Sequence, residues 1–119
     1  MTIESTLGKI DVSPRAIASI AGEAVLSCYG VVGMSSATLR DGIAEILKED
    51  HYYRGVDVRV ENGAISIDLY VVVEYGTRIS EVSQNVMESV KFGVERALGM
   101  PIAQVNVHVQ GLRISNGDA

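Results

Sequence analysis

The chain has 119 residues, 47% of them hydrophobic and 21% charged, and 15 acidic residues against 10 basic give a formal net charge of -5. Such a chain is long enough to bury a core as one domain, and it has no Pro-, Ser- or Gly-rich stretch to serve as a linker. The charge balance disfavours the phosphate backbone of nucleic acid as a partner, since Lys and Arg are scattered singly and form no stripe.

Cys28 is the single cysteine, so no intramolecular disulfide can form, and a reducing cytoplasm is the expected compartment. Met1 to Gly8 has neither the basic start nor the apolar run of a signal peptide. The longest apolar stretch falls short of the about 20 residues that span a bilayer as a helix. Any membrane association is therefore expected to be indirect, through a partner.

Gly8 to Val12 reads as a short edge strand. Ser13-Pro14 then supplies a capping hydroxyl and a proline at the first helical position, where no needed N–H is lost. Ile17, Ile20, Ala21, Ala24, Val25 and Cys28 recur at helical spacing, with Arg15, Ser19, Gly22 and Glu23 off the stripe, which predicts a helix over Pro14 to Tyr29. Gly30 is placed to end it in the left-handed conformation. Val31 to Ser36 reads as a strand. Leu39, Ile43, Ile46 and Leu47 form a shorter stripe that predicts a second helix between Ala37 and Glu49, weakened by Gly42. His51-Tyr52-Tyr53-Arg54 reads as a loop that rests its tyrosines on the rim of the core.

Two alternating runs, Val56 to Glu61 and Ala64 to Glu74, meet at Asn62-Gly63, where both residues accept the positive φ of a type I′ turn. The turn sets the register: Val60 faces Ile65, Val58 faces Ile67 and Val56 faces Leu69. One face is apolar, while the other carries Asp57, Arg59, Ser66, Asp68, Tyr70 and Glu74. A long helix follows from Ser80 to Leu98, its stripe formed by Ile79, Val82, Val86, Val90, Val94, Ala97 and Leu98, with Lys91 and Glu95 spaced to pair on its solvent side. Gly99 and Pro101 stop it. Gln104 to Gly111 is a last strand, with Val105, Val107 and Val109 inward and Asn106, His108 and Gln110 outward. A strand–helix–strand crossover makes its two strands parallel, and the hairpin adds an antiparallel partner. The expected fold is α+β: a two-layer sandwich of a mixed sheet with two main helices packed on one face, in the order β-α-β-(α)-β-β-α-β.

The segments Gly8-Lys9-Ile10-Asp11-Val12-Ser13, Gly30-Val31-Val32-Gly33-Met34, Asp41-Gly42-Ile43-Ala44-Glu45 and Gly55-Val56-Asp57-Val58-Arg59-Val60, in this order, carry a family likeness. Ile67-Asp68-Leu69-Tyr70-Val71-Val72-Val73-Glu74-Tyr75-Gly76 and Val105-Asn106-Val107-His108-Val109 complete it. The chain resembles the alkaline shock protein family of Gram-positive bacteria, the Gls-type envelope stress proteins, over about residues 8–111. The resemblance implies a small, cytoplasmic, non-enzymatic protein of cell-envelope homeostasis and stress tolerance. It also implies a scaffold that associates with itself or its paralogues and is held at the inner side of the membrane by a small anchor protein. The founding protein carries long charged extensions, and this chain is nearly all core.

The residues themselves suggest no catalytic centre. His108 alternates with inward valines and lacks a visible substrate pocket or orienting partner, and no nucleophile-elbow sequence surrounds Ser13, Ser66 or Ser80. Cys28 has no basic neighbour to activate it. Asp57 falls opposite Asp68, an unfavourable pairing unless neutralised. Arg59, diagonal to Asp68, can do this alone. A divalent cation would want about six oxygen ligands where the sequence offers two carboxylates. Gly30-Val31-Val32-Gly33 formally matches the G-x-x-G loop of KH domains, but two valines leading into a strand suit a core better than nucleic acid. The expectation is protein binding and self-assembly through the open sheet face and the edge strands, without cofactor or metal, the face being formed by Arg59, Asp68, Tyr70, Val72, Glu74, Asn106 and His108. The alternatives are a KH-like RNA-binding module and a small-ligand or metal-binding protein.

Overall fold

A computed structural model describes residues 2–37 and 46–114. In chain order its elements are strands β1 (Thr2–Ser5) and β2 (Gly8–Asp11), helix α1 (Pro14–Leu26), strand β3 (Val31–Met34) and a 3₁₀ segment, Glu49–Gly55. Strands β4 (Val56–Glu61) and β5 (Ala64–Glu74), helix α2 (Ile79–Leu98) and strand β6 (Gln104–Arg113) follow. The helix expected over Ala37 to Glu49, with Leu39, Gly42 and Ile43, and the Asp41 to Glu45 motif lie largely outside the described residues. Of its end, Ile46 to Lys48 is irregular and Glu49 opens the 3₁₀ segment.

Asn62 and Gly63 take φ values of 52° and 76°, and the β4–β5 register is the one the Asn-Gly turn implies, with Val56 opposite Leu69, Val58 opposite Ile67 and Val60 opposite Ile65. β5 is the central strand. β6 runs parallel to it from Ser66 to Glu74, while β4 pairs with Ala64 to Leu69 and β3 with Val71 to Val73, both antiparallel. A strand has two edges, so β3 and β4 lie end to end along one edge of β5 and β6 takes the other.

Ile65, Ile67, Leu69, Val71 and Val73 of β5 join Ile17, Ala21 and Val25 of α1 and Val82, Val86, Val90 and Val94 of α2 in one buried cluster. Both helices therefore cover the same face of the sheet, which makes the two-layer α+β sandwich expected from the sequence. Each fully buried aliphatic side chain contributes about 1.5–3 kcal/mol relative to exposure.

Several local readings change. The strand expected at Gly8 to Val12 is not an edge of the main sheet: β2 pairs with β1 in a separate hairpin. α1 stops at Leu26 rather than Tyr29, because the Ser27 hydroxyl donates to the Ala24 carbonyl at 2.8 Å and the Cys28 N–H turns to Val25 O at 3.1 Å. Gly30 does have positive φ, 88°, but it serves the turn into β3, where α2 comes so close that a Cβ would lie 2.7 Å from Val82 Cγ2. Gly22 is buried rather than off the stripe, with Tyr52 3.4 Å from its missing Cβ. Tyr52 and Tyr53 rest on the core as the loop reading expected, although within a 3₁₀ segment, and the Arg15 guanidinium lies 4.0 Å from the Tyr53 ring centre. α2 closes at Gly99, φ 72°, as its sequence implied. The Lys91–Glu95 pair is replaced: Glu95 Oε2 accepts the Ile102 N–H at 2.8 Å. Satisfying the amide of a buried residue outweighs an exposed ion pair.

Two glycine substitutions should have opposite signs. A Cβ at Gly55 would meet the Ser35 carbonyl oxygen at 2.8 Å where β4 succeeds β3, so Gly55→Ala is expected to cost about 1–3 kcal/mol. A Cβ at Gly93, inside α2, would meet only Ala24 Cβ at 3.9 Å. Gly93→Ala should stabilise by about 0.5–1 kcal/mol through helix propensity. Denaturant unfolding of both variants checks the pair.

Candidate functional site

The sheet face turned away from the helices is organised by the registers of β4, β5 and β6. Arg59, Ser66 and Gln104 form one row across it, Asp57, Asp68 and Asn106 the next, and Tyr70 and His108 the third. Asp68 is at the centre and only 8% exposed. Its Oδ2 accepts from Arg59 Nε at 3.1 Å and Nη2 at 2.7 Å. Its Oδ1 accepts from Asn106 Nδ2 at 3.2 Å and lies 2.9 Å from His108 Nε2. An ionised carboxylate only accepts, so Nε2 is the protonated nitrogen in this pair.

Burial by itself would push the Asp68 carboxyl up. The hydrogen bonds from His108, Arg59 and Asn106, with the Arg59 charge, outweigh burial and hold it below the ordinary value of 3.8. The Arg59 guanidinium is pushed up in turn, by its hydrogen bond to Asp68 and then by that residue's charge. Burial raises the Tyr70 phenol, and the charges of Asp68 and Asp57 raise it further. The unfavourable Asp57–Asp68 opposition is thus resolved by Arg59, as its diagonal position suggested. Arg59 also reaches Glu61 Oε1 at 3.3 Å. The Tyr70 ring stacks on His108, 4.7 Å between centres and 14° between planes.

Five of the seven expected residues, Arg59, Asp68, Tyr70, Asn106 and His108, are therefore brought into one connected group. Val72 is not an exposed apolar contact: it is 0% exposed. The alternation that points it away from the helices is intact, but the chain leaving β3 returns over that end of the face. Ile46 sits over Gly33, the residue paired with Val72. The Gln110 amide donates to Ser36 O at 3.2 Å and Ala37 O at 3.1 Å. Glu74 is at the far end of β5, where its N–H donates to Gly30 O at 2.7 Å and its carbonyl accepts from the Thr77 hydroxyl at 2.7 Å, and its carboxylate has no described contact with the Asp68 group. Gln110, read from the sequence only as an outward residue of the last strand, is the side chain that ties β6 to the segment after β3. It is the extra residue of a bulge, since Val109 pairs with Val71 and Gly111 with Val72. The following glycine was the available signal.

The carboxylate that a metal would need already accepts from four donor atoms, two of them on one guanidinium, and a carboxylate has about four acceptor positions. Among the described residues no group of three or more His, Cys, Asp and Glu side chains could hold a metal ion. Gly30 to Gly33 is not a free loop, because Val31 and Gly33 pair with Val73 and Val72. Cys28 is half-buried against α1 and α2, its Sγ 3.3 Å from Ala24 O. Two grooves lie away from the Asp68 group, one between Tyr29 and Asn85 and one between α2 and the start of β6.

The molecule is a small α+β sandwich whose sheet has one face covered by the helices and the other centred on a carboxylate held by charged and polar neighbours. Over residues 2–114 the chain matches the model of the alkaline shock protein family, described as having a "cell envelope-related function", and it belongs to that family. The resemblance read from the sequence motifs is thereby borne out. The "Uncharacterized protein YloU" of Bacillus subtilis (strain 168) is 46% identical over 119 residues, covering 98% of this chain and 99% of that one. The "Uncharacterized protein Spy1614" of Streptococcus pyogenes serotype M6 is 40% identical over 108 residues, covering 90% and 89%. The solved structure "MamM CTD H264E - Zinc form 2" aligns over 87% of this chain and 88% of its own with a TM-score of 0.47 and 15% identity, a likeness too slight to bear on fold or ligand. No described helix is long and apolar enough to cross a membrane.

Because Asp68 ionises more readily when folded than when unfolded, its contribution to stability is complete above pH 3.8 and is lost as pH falls through its lowered value. Acid unfolding of Asp68→Asn should therefore have a shallower slope than the parent below that pH, measured by circular dichroism at graded pH. Val72→Ser should destabilise by about 1–3 kcal/mol, the cost of a poorly paired hydroxyl in a buried site, where an exposed valine would be neutral. Denaturant unfolding decides it.

Proposed function

We propose that this member of a cell-envelope-related family is a non-enzymatic, cytoplasmic interaction module in stress tolerance, and that the open sheet face around Asp68 is its contact surface. The observation that carries the reading is the convergence of Arg59, Asn106 and His108 on Asp68. A surface whose side chains are already held loses less entropy on binding than a loose one. Arginine and aromatic side chains are also the types that dominate binding energy, and Arg59 stands beside a stack in which His108 is exposed and Tyr70 partly so. Asp68 orients His108 much as a carboxylate orients a catalytic histidine, but no nucleophile lies among the groups it touches.

The partners proposed are the chain itself, its paralogues and a small membrane-anchor protein, any membrane association being indirect. The test is cross-linked affinity purification from the native cell, with membrane and soluble fractions kept apart, comparing the parent with Tyr70→Ala/His108→Ala. The parent should recover paralogues or a small membrane protein, and the double variant should recover them about tenfold less, the scale of one lost hot spot, with an unchanged circular dichroism spectrum. Equal recovery by the two forms would place the contact elsewhere. Recovery of RNA, in amounts falling steeply with salt, would favour nucleic-acid binding instead.

A further inference from the structure

Once the bonds around Asp68 are made, the chemistry left over on the open face is one-sided. Asp68, Glu61 and Asp57 all act on the single Arg59 guanidinium, and among the described residues of these rows no second lysine or arginine stands with it. Arg59 directs its hydrogen bonds to Asp68, at 2.7 and 3.1 Å, and to Glu61, at 3.3 Å. Asp57 receives none. It is exposed and directly opposite Asp68, and its carboxylate has no hydrogen bond or ion pair among the described residues. Like charges so opposed are destabilising, and no described contact of the fold compensates for this one.

The neighbouring row has the same bias. His108 Nε2 donates to Asp68 at 2.9 Å, so Nδ1 of the neutral ring is left as an acceptor. The ring is stacked on Tyr70 and exposed to solvent, and the Tyr70 hydroxyl has no hydrogen bond among the described residues. Strands of a sheet lie about 4.8 Å apart, and successive residues of one face about 7 Å apart along a strand. A group seated beside the Tyr70–His108 pair is therefore within side-chain reach of Asp57 on one flank and of His108 Nδ1 on the other.

We propose that the open face takes a basic polypeptide segment of a partner, with an arginine whose guanidinium stacks on the Tyr70–His108 pair and donates to Asp57 and to His108 Nδ1. This rests on the open-face reading and supplies the partner's chemistry. The rows carry three carboxylates against one guanidinium, with histidine neutral, and the positions left free at Asp57 and His108 Nδ1 are acceptors. An incoming group must therefore bring both donors and positive charge. A guanidinium does so in a planar fork that matches a carboxylate and stacks on rings, whereas an ammonium is a point charge. Two copies meeting through this same face would set carboxylate against carboxylate, so like faces do not pair. The excess of acidic residues over the whole chain, 15 against 10, steers the same class of partner.

The test uses the full chain and the fluorescein-labelled peptide Gly-Arg-Gly-Arg-Gly-Arg-Gly, with its lysine and glutamate counterparts, read by fluorescence anisotropy over a salt series. The arginine peptide should bind most tightly, the lysine peptide more weakly and the glutamate peptide not at all. Asp57→Asn should weaken the arginine peptide about tenfold, the scale of one lost central contact. The same change relieves the repulsion with Asp68, so the fold is not at risk. Glu23→Gln removes an equal charge from the exposed side of α1 and should alter binding by less than about twofold. Equal weakening by the two variants means attraction to net charge alone and overturns the proposal, as does equal binding of the arginine and glutamate peptides. Asp57→Asn in the native-cell purification separates this inference from the reading beneath it. Recovery that falls with Tyr70→Ala/His108→Ala and not with Asp57→Asn keeps the open face as the contact and overturns the basic partner. Peptide binding that needs Asp57, beside native recovery indifferent to Tyr70 and His108, supports the arginine site and removes the open-face reading.

Discussion

Strand β5 holds the other elements in place, because both of its edges are paired and one of its faces is the floor of the core. Its residues pointing towards the helices are fully buried aliphatics, and the helices are held by that floor and by each other. The residues pointing the other way inherit a central-strand position whether or not they are apolar. Asp68 is the consequence. The side chains of the flanking strands close over its carboxylate and leave it 8% exposed, and an unpaired carboxylate so placed would be strongly destabilising. β4 therefore supplies Arg59 across one edge, and β6 supplies Asn106 and His108 across the other. Stability and surface chemistry are two aspects of the same four side chains.

The open face has a defined limit. At the level of Val72 both neighbours of β5 break register, β3 around Val32 and β6 around Gln110. Bulges of this kind re-aim a strand and the side chains on it. Here the result is that Gln110 reaches the carbonyls of Ser36 and Ala37, and the upper end of the face is covered while the Asp68 end stays accessible.

Membership of the alkaline shock protein family connects the fold to the cell envelope, and the relatives at 46% and 40% identity span nearly its whole length. Under the proposed function, association is served by the polar face around Asp68, whose side chains are fixed by a shared carboxylate.

Features governed by local periodicity and turn chemistry were legible in the residues themselves. The hairpin register followed from Asn62-Gly63, because only residues tolerant of positive φ make that turn and side chains alternate strictly from it. The span of α2 followed from its valine stripe and Gly99, and the parallel β5–β6 pairing from the helix between them. The proximity of Arg59 to Asp68 followed from the register. Features that depend on distant chain came only with the packed fold. Val72 looked exposed because alternation assigns a face but not what covers it, and its cover comes from the segment around Ser36 and Ile46. Glu95 looked available to Lys91 because helix spacing cannot reveal the Ile102 amide that claims it. The strand at Gly8 looked like a sheet edge because nothing local to a strand names its partner, and that choice is made by long-range packing rather than by the strand's own residues.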